Sequence, residues 1–496
     1  MERLKVSENK RHLIKESGDP FIWLADTEWT IAQRLKWDDV EYLMQRRKAQ
    51  GFTVLQMVAL DPEQDREIRN PIGEKALLNN NLNTPNEKYF EYLDWILDKA
   101  EEYGFYVLLL PVWGELVVGH NWMGEFSDKI VNVENAYEYG RWIGNRYKNR
   151  KNIIWCLGGD RQPIHLKVDY KDVWRKMAEG IAKGGFEKDL KYNVKSSMWN
   201  ELLITYHACH ERETGECSTM SYWTDEEAWI SFIMLQSGHG LEVKNYELIR
   251  KEYERKNIMP VFDGEPAYEK MPTTWPKVKD YHGDWVVRKR AYWSLFAGSF
   301  GHTYGHASVW CMISEKEKDK FRTDSWFEAL DNPGAWEMKV LRDFLESRNL
   351  ASCKPYQEVL IEQEKKKVDI MDEHIQSCID IEGNFMCIYF PSGGEDTVDL
   401  RGLNFEELQM WWFNPKDGLC YSQENIISEV PNKVDIISDI DGSKITKIKT
   451  PTKGKEKDWV CVIESKDDKV MIPGKSRVYG EMPIPEKVKK VFPGWE

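Results

Sequence analysis

The sequence predicts a (β/α)8 TIM barrel with a C-terminal all-β sandwich domain, an α/β architecture overall, and three observations carry that reading. Through about residue 350, eight apolar runs of strand length alternate with amphipathic runs of helix length. Most of those runs are nearly continuous in apolar residues, as strands covered on both faces are. Beyond them the alternation stops, and short strand-like pieces separated by turns take over.

The eight runs fall at 21–25, 53–59, 106–112, 153–157, 203–206, 231–236, 259–262 and 303–310. Helix signals lie between them. Thr84-Pro85-Asn86-Glu87 has the spacing of a capping box with proline at the first helical position, and Gly104 supplies the stop. Thr224 and Glu227 offer a second box, and Asn132, Asp169 and Asp284 are expected N-caps. A doubly wound open sheet alternates in the same way, but no G-x-G-x-x-G turn follows the first run. The barrel is therefore preferred.

Ahead of the first run, residues 12–15 and 21–23 flank Ser17-Gly18-Asp19-Pro20, a hairpin turn placed to close the barrel's lower end. The polar stretch 362–367 leads into sandwich strands expected at 385–390, 408–413, 445–449, 459–463 and 469–472, with turns at 391–394 and 415–418. The expected division is 1–350 for the barrel with its hairpin, 351–380 for a linker and first strand region, and 381–496 for the sandwich.

Composition narrows the function. The 496 residues carry a net charge of −14 with acids and bases interleaved, so no basic face is offered to nucleic acid or to an anionic membrane. No apolar run reaches the length of a membrane span. The first ten residues lack the apolar core of a signal peptide, so a cytoplasmic location is expected, a secreted form with its leader removed being the alternative. Nine scattered cysteines without a C-x-x-C pair read as reduced, buried thiols.

In a barrel the strand C-termini share one mouth. Here they bring Asp26, Thr27, Glu28 and Trp29 from the first strand, Gln56 from the second and Trp113 from the third. The fourth brings Asp160 and Arg161, the fifth His207 and His210, the sixth Gln236 and His239. The seventh brings Asp263 and Glu265, and the eighth Tyr304, His306 and Trp310. Asp160 and Glu265 each follow a buried run and a glycine, on strands that face each other across the mouth. Cleaving a glycosidic bond takes two such carboxyls, one to protonate the departing oxygen and one to attack the anomeric carbon or activate water. A strand-end salt bridge or a helix N-cap is the plain structural alternative for either acid taken singly.

Asp26 is expected to bind substrate or orient a neighbour, and Asp263 to be structural, paired with Arg161. Trp29, Trp113 and Trp310 are candidates for a sugar platform, with core packing as the alternative for each. His207 and His239 occupy positions where metal-dependent barrels keep ligands. The H-x-H of the first strand and the lysine of the fourth are missing, however, so no metal and no cofactor is expected. Gln56, Arg161, Gln236, Tyr304 and His306 join the histidines as substrate-binding candidates. The expected partner is an oligosaccharide, and the expected state a monomer or small homo-oligomer.

These residues also form a recognisable set. Phe21-Ile-Trp-Leu-Ala-Asp-Thr-Glu-Trp29, Gly51-Phe-Thr-Val-Leu-Gln56, Gly158-Gly-Asp160, Gln236-Ser-Gly-His239, Asp263-Gly-Glu-Pro266 and Gly298-Ser-Phe-Gly-His-Thr-Tyr-Gly-His306 resemble the apiosidase-like glycoside hydrolases, family 140, in order over roughly residues 10–350. The tail resembles that family's C-terminal collagen-binding-type β-sandwich. The resemblance implies a barrel that cleaves plant cell-wall glycans, with release of substituted apiose from the pectin rhamnogalacturonan II as its best-known activity. It places the catalytic aspartate on Asp160 and the catalytic glutamate on Glu265. By analogy with the wider superfamily these are the acid/base and the nucleophile. That superfamily carries Asn-Glu at strand four, where this chain has Gly159-Asp160, one methylene shorter. Retention is expected, for which the carboxyls stand about 5–5.5 Å apart, against about 6.5–9.5 Å for inversion. A non-catalytic glycan-binding protein on the same scaffold is the alternative.

Overall fold

In the computed structural model, residues 1–61, 69–121, 123–275, 277–366, 371–404, 407–421, 426–427, 435–438, 444–465 and 472–474 are described. Eight parallel strands form the barrel: β1 (Trp23–Thr27), β2 (Val54–Val58), β3 (Tyr106–Leu110), β4 (Ile153–Gly158), β5 (Ile204–His207), β6 (Ile233–Leu235), β7 (Val261–Asp263) and β8 (Gly301–Tyr304). They are laddered in the order β6-β7-β8-β1-β2-β3-β4-β5. Between β5 and β6 the seam is closed by an Ile204–Ile230 bridge and by the Thr205 hydroxyl, which donates to Phe232 O at 2.7 Å.

Helices α1 (Trp37–Ala49), α2 (Glu87–Tyr103), α3 (Val133–Tyr147) and α4 (Lys171–Phe186) follow β1 to β4. Helices α5 (Asn245–Tyr253), α6 (Asp284–Phe296) and α7 (Pro333–Ser347) follow β6 to β8. The connection from β5 to β6 carries only the 3-10 turn Thr219–Ser221. The box expected at Thr224 starts no helix, because Glu227 turns inward to accept from Arg175 Nη2 at 2.5 Å and Trp229 Nε1 at 2.8 Å. Helix α2 is capped by Asn86, not Thr84, whose hydroxyl donates back to Leu78 O, and Gly104 ends it at φ +87°. Asn132 caps α3 in a reciprocal box with Asn135.

Side-chain alternation fixes what each strand offers. Trp23 and Ala25, Val54 and Val58, Leu108 and Leu110, Ile154 and Cys156, and Phe262 fill the barrel's interior. Their neighbours Leu24, Leu55, Met57, Val107, Leu109 and Leu157 face the helices. An N-terminal hairpin pairs Leu4–Val6 with Leu13–Lys15, and the expected turn at 17–20 returns the chain alongside it through an Ile14–Pro20 bridge, with Phe21 N donating to Leu13 O at 3.4 Å; Leu4 and Leu13 join the interior cluster at the lower end. The eighth run breaks early: the strand stops at Tyr304, and Gly305 packs so closely on the Tyr268 ring that a Cβ there would stand 2.2 Å from it. His306 and Trp310 therefore lie beyond the strand, in the turn that follows.

The C-terminal region is antiparallel. Its large sheet is built around β9 (Gln376–Asp380), β10 (Phe385–Phe390), β11 (Glu407–Phe413) and β12 (Trp459–Ser465), laddered β9-β10-β12-β11, and the pair Gly393–Asp399 with Ile445–Lys453 forms a second layer. In β10, Met386, Ile388 and Phe390 face the sandwich interior, while Phe385, Cys387 and Tyr389 pack with the barrel's helices. The expected strand 469–472 lies outside the described residues at 469–471, and Ile472 is buried without being in a strand. All nine cysteines are free.

The two regions share buried charge. Arg288 of α6 makes two 2.8 Å bonds to Asp458 and also meets Glu337 of α7. Arg348 makes a matching pair of 2.8 Å bonds to Glu464 of β12. Tyr292 stacks on Tyr389 at 5.0 Å.

Candidate active site

The end of β4 is bent by three consecutive residues at positive φ: Gly158 (+93°), Gly159 (+82°) and Asp160 (+54°). Glycine enters that region freely, and aspartate more easily than most residues. The turn is also crowded. A Cβ on Gly159 would lie 2.7 Å from Gly114 N, so the β3 and β4 loops interlock backbone to backbone. This bend carries Asp160 into the mouth, where its side chain keeps 22% exposure. Gln236 Nε2 donates to its Oδ1 at 3.0 Å and Arg161 Nη1 to its Oδ2 at 2.7 Å.

Glu265 arrives differently. Strand β7 ends at Asp263, and the chain turns through Gly264 under firm backbone restraint. Gly264 N donates to Leu235 O at 2.8 Å, Gln56 Nε2 donates to Gly264 O at 2.9 Å, and Gly238 N donates to Glu265 O at 3.0 Å. The carboxylate faces two imidazoles, His207 Nε2 at 2.9 Å from Oε2 and His239 Nε2 at 3.5 Å from Oε1. Burial alone raises such an acid. The histidines outweigh it and hold Glu265 well below the usual carboxylate range.

His207 joins the two acids. The Asp160 amide donates to its Nδ1 at 3.2 Å. A backbone N–H can only donate, so Nδ1 is the bare nitrogen and the hydrogen sits on Nε2, towards Glu265. The ring is wedged between Trp29, stacked at 5.3 Å and 24°, and the edge of Trp113 at 5.8 Å. One imidazole thus spans from the backbone of Asp160 to the carboxylate of Glu265.

The structure brings together Asp160, Arg161, His207, Gln236, His239, Glu265, Gln56, Trp29 and Trp113, and it separates others. Asp26 belongs to the outward phase of β1 with Leu24. It is sealed among the helices, 2.5 Å from Arg47, which also meets Glu28. Tyr304 pairs in register with Asp26 and shares its side of the sheet, donating to Glu269 Oε2 at 2.6 Å. His306 is buried against the Ser308 amide and Asn332. These three do not line the mouth. Trp29 and Trp113 are buried supports of His207, and Trp310 is a partly buried indole packed beside the interior cluster. Asp263 faces outward, accepting from Ser237 Oγ at 2.7 Å and Asn245 Nδ2 at 3.0 Å rather than from Arg161.

Sequence reasoning missed Tyr268, which stands against His239 at 4.4 Å between ring centroids; burial, helped by the charge of nearby Glu265, pushes its phenol upward. Its only signal was its place three residues after Glu265. Gln162 was missed as well; its amide donates to Cys209 O at 2.8 Å and ties the β4 loop to the β5 loop.

Such a barrel, with carboxylates gathered at the C-terminal mouth, has the architecture of a glycosidase, and the comparisons agree that the protein is one. The chain belongs to the apiosidase-like family, whose catalytic-domain model matches residues 7–352. Residues 355–464 match a second model, described as "Putative collagen-binding domain of a collagenase". A solved glycoside hydrolase family 5 protein from Bacteroides vulgatus ATCC 8482 is 25% identical, with 98% of this chain and 97% of that one covered and a TM-score of 0.78. A second solved glycoside hydrolase is 26% identical over 94% of this chain and 97% of its own, with a TM-score of 0.76. No curated protein matches the sequence.

Proposed function

We propose that the protein is a family 140 glycosidase that removes an apiose-type side chain from a pectic oligosaccharide by a retaining, two-carboxylate mechanism. The observation that carries the reading is the imidazole of His207, held by the Asp160 amide on one side and facing the Glu265 carboxylate on the other. It gathers the two acids at one mouth with different tasks.

Glu265 is the nucleophile. Its charge is kept by the two histidines, and a carboxylate oxygen that accepts from an imidazole retains a further lone pair for attack. The oxygen attacks the anomeric carbon, and the bond to the leaving oxygen breaks as Asp160 hands that oxygen a proton. Each Asp160 oxygen accepts one hydrogen bond and retains a further lone pair to carry the proton. In the second half Asp160 takes a proton from water, the hydroxide attacks the same carbon, and Glu265 leaves as carboxylate. The two faces of the sugar are used in turn, so configuration is kept.

The test is a panel of pectic and aryl glycosides, with the first-formed anomer read by NMR. The reading expects an apiose-bearing substrate to be cleaved with retention. Cleavage with inversion overturns the nucleophile assignment, and cleavage confined to non-pectic glycosides overturns the substrate.

A further inference from the structure

Two small hairpins stand on the rim beside Asp160, and the steps above do not use them. The first, in the β3 loop, pairs His120 with Phe126 and is braced by Asn121, whose Oδ1 accepts from the amides of Met123 at 3.0 Å and Glu125 at 2.9 Å. The second, in the β4 loop, pairs Ile164–His165 with Val168–Asp169. Ring contacts join them: His120 lies 4.9 Å from Phe126 and 5.4 Å from His165. Arg161 ties the pair to the acid, since it donates to Asp160 Oδ2 and, through Nη2 at 3.1 Å, to His120 O.

The hairpins present apolar side chains to solvent. Phe126 is 92% exposed and Leu166 69%, with Met123 and Val168 also exposed. A single exposed apolar side chain needs no explanation, but these four sit on adjoining turns joined by ring contacts. The second turn is also held against its own preference. Leu166 and Lys167 both have positive φ, +48° and +67°, as a two-residue type I′ turn requires. Asparagine and glycine suit that turn. A leucine there is strained, and most of its side chain is exposed. Backbone strain of this sort gathers where a surface has work to do.

We propose that these hairpins form the leaving-group subsite, in which the aromatic face of Phe126 and the tip of Leu166 take the C–H face of the sugar ring beyond the scissile bond. The inference rests on Asp160 as the acid that protonates that ring's oxygen, and continuity through Arg161 favours a sugar over a protein partner. Stacked C–H and aromatic faces bury apolar area without competing for the ring's hydroxyls.

The experiment compares two substrates that share the transferred sugar: an apiose-bearing oligosaccharide from rhamnogalacturonan II, and apiosyl fluoride, whose leaving atom cannot reach the rim. The ratio of their kcat/KM values falls about tenfold in Phe126→Ala, roughly what one aromatic stacking contact supplies. Leu166→Asn lowers the ratio while raising Tm, because asparagine relieves the turn; a merely structural leucine would not do both. An unchanged ratio in both variants overturns the subsite. If the wild type cleaves neither substrate, the catalytic reading fails separately. Calorimetric titration of the oligosaccharide then decides the subsite, with weaker binding by Phe126→Ala expected and equal Kd values contradicting it.

Discussion

Glu265 is buried, negatively charged and opposed by two imidazoles, and its protonation state depends on them. Its folded pKa lies below the unfolded value, so the stability it contributes is present above about pH 4.5 and is lost as pH falls through the folded value. Removing one imidazole leaves burial to dominate. His207→Ala is therefore expected to move the acidic limb of the kcat/KM profile to higher pH and to lower the maximum about 100-fold through lost alignment. A limb that stays in place would show that His207 does not set the charge of Glu265. At this scale the sequence revealed the acids, because a carboxyl after a glycine at a buried strand end is a visible pattern. It did not reveal that Trp29 and Trp113 grip His207, since an indole beside a sugar and an indole beside an imidazole have the same sequence signature. Tyr268 was hidden for a related reason: nothing in a chain with 22 tyrosines marks one of them as a neighbour of Glu265.

The strands of the barrel were legible as elements, but their phase was not. Where both faces of a strand are apolar, alternation carries no contrast, and a shift of one residue exchanges inside for outside. Asp26 and Tyr304 were placed in the mouth for that reason. The register puts them side by side on the helix-facing side, with Arg47 balancing Asp26. The run 303–310 read as one strand because strand-forming residues, Thr303 and Tyr304, Val309 and Trp310, stand at both of its ends, whereas the strand stops at Tyr304, where Gly305 packs closely on Tyr268. The β4 turn is the element on which the site depends most. Gly159→Ala sets a Cβ against Gly114 N at 2.7 Å in a conformation alanine rarely adopts. It is expected to cost about 1–3 kcal/mol of stability and about 100-fold in kcat/KM. Gly18→Ala is the control, with a similar positive φ of +98° but open space around it. Equal losses in the two variants would show that backbone conformation alone matters, and not the interlock of the β3 and β4 loops.

For the whole molecule, barrel and sandwich were legible from the change of pattern, but their union was not. Arginine–acid pairs between distant segments leave no periodic mark in a sequence with 31% charged residues. The alternation in β10 shows the consequence, with one face serving each neighbour. Arg288→Ala leaves Asp458 and Glu337 buried without their cation, at an expected cost of about 3–5 kcal/mol. Calorimetry should show the two regions melting in one transition at a lower Tm; a separate, unshifted barrel transition would contradict the coupling. A second expectation concerns pH. Burial pushes Glu269, which links Tyr304 to Gly334, up to about 7 from its usual 4.5. The folded state then holds a proton that the unfolded state has released, so stability is full below about pH 4.5 and falls as pH rises through about 7. Glu269→Gln is expected to flatten that decline in denaturant titrations across the window, and an unaltered slope would place its origin elsewhere.

The central claim is that Asp160 and Glu265 act as one catalytic pair. The most direct measurement is kcat/KM of Asp160→Asn and Glu265→Gln on a glycoside the wild type cleaves, with Tm confirming that each variant is folded. A loss of about 1,000-fold or more in each is expected; near-normal turnover by either folded variant would contradict the account.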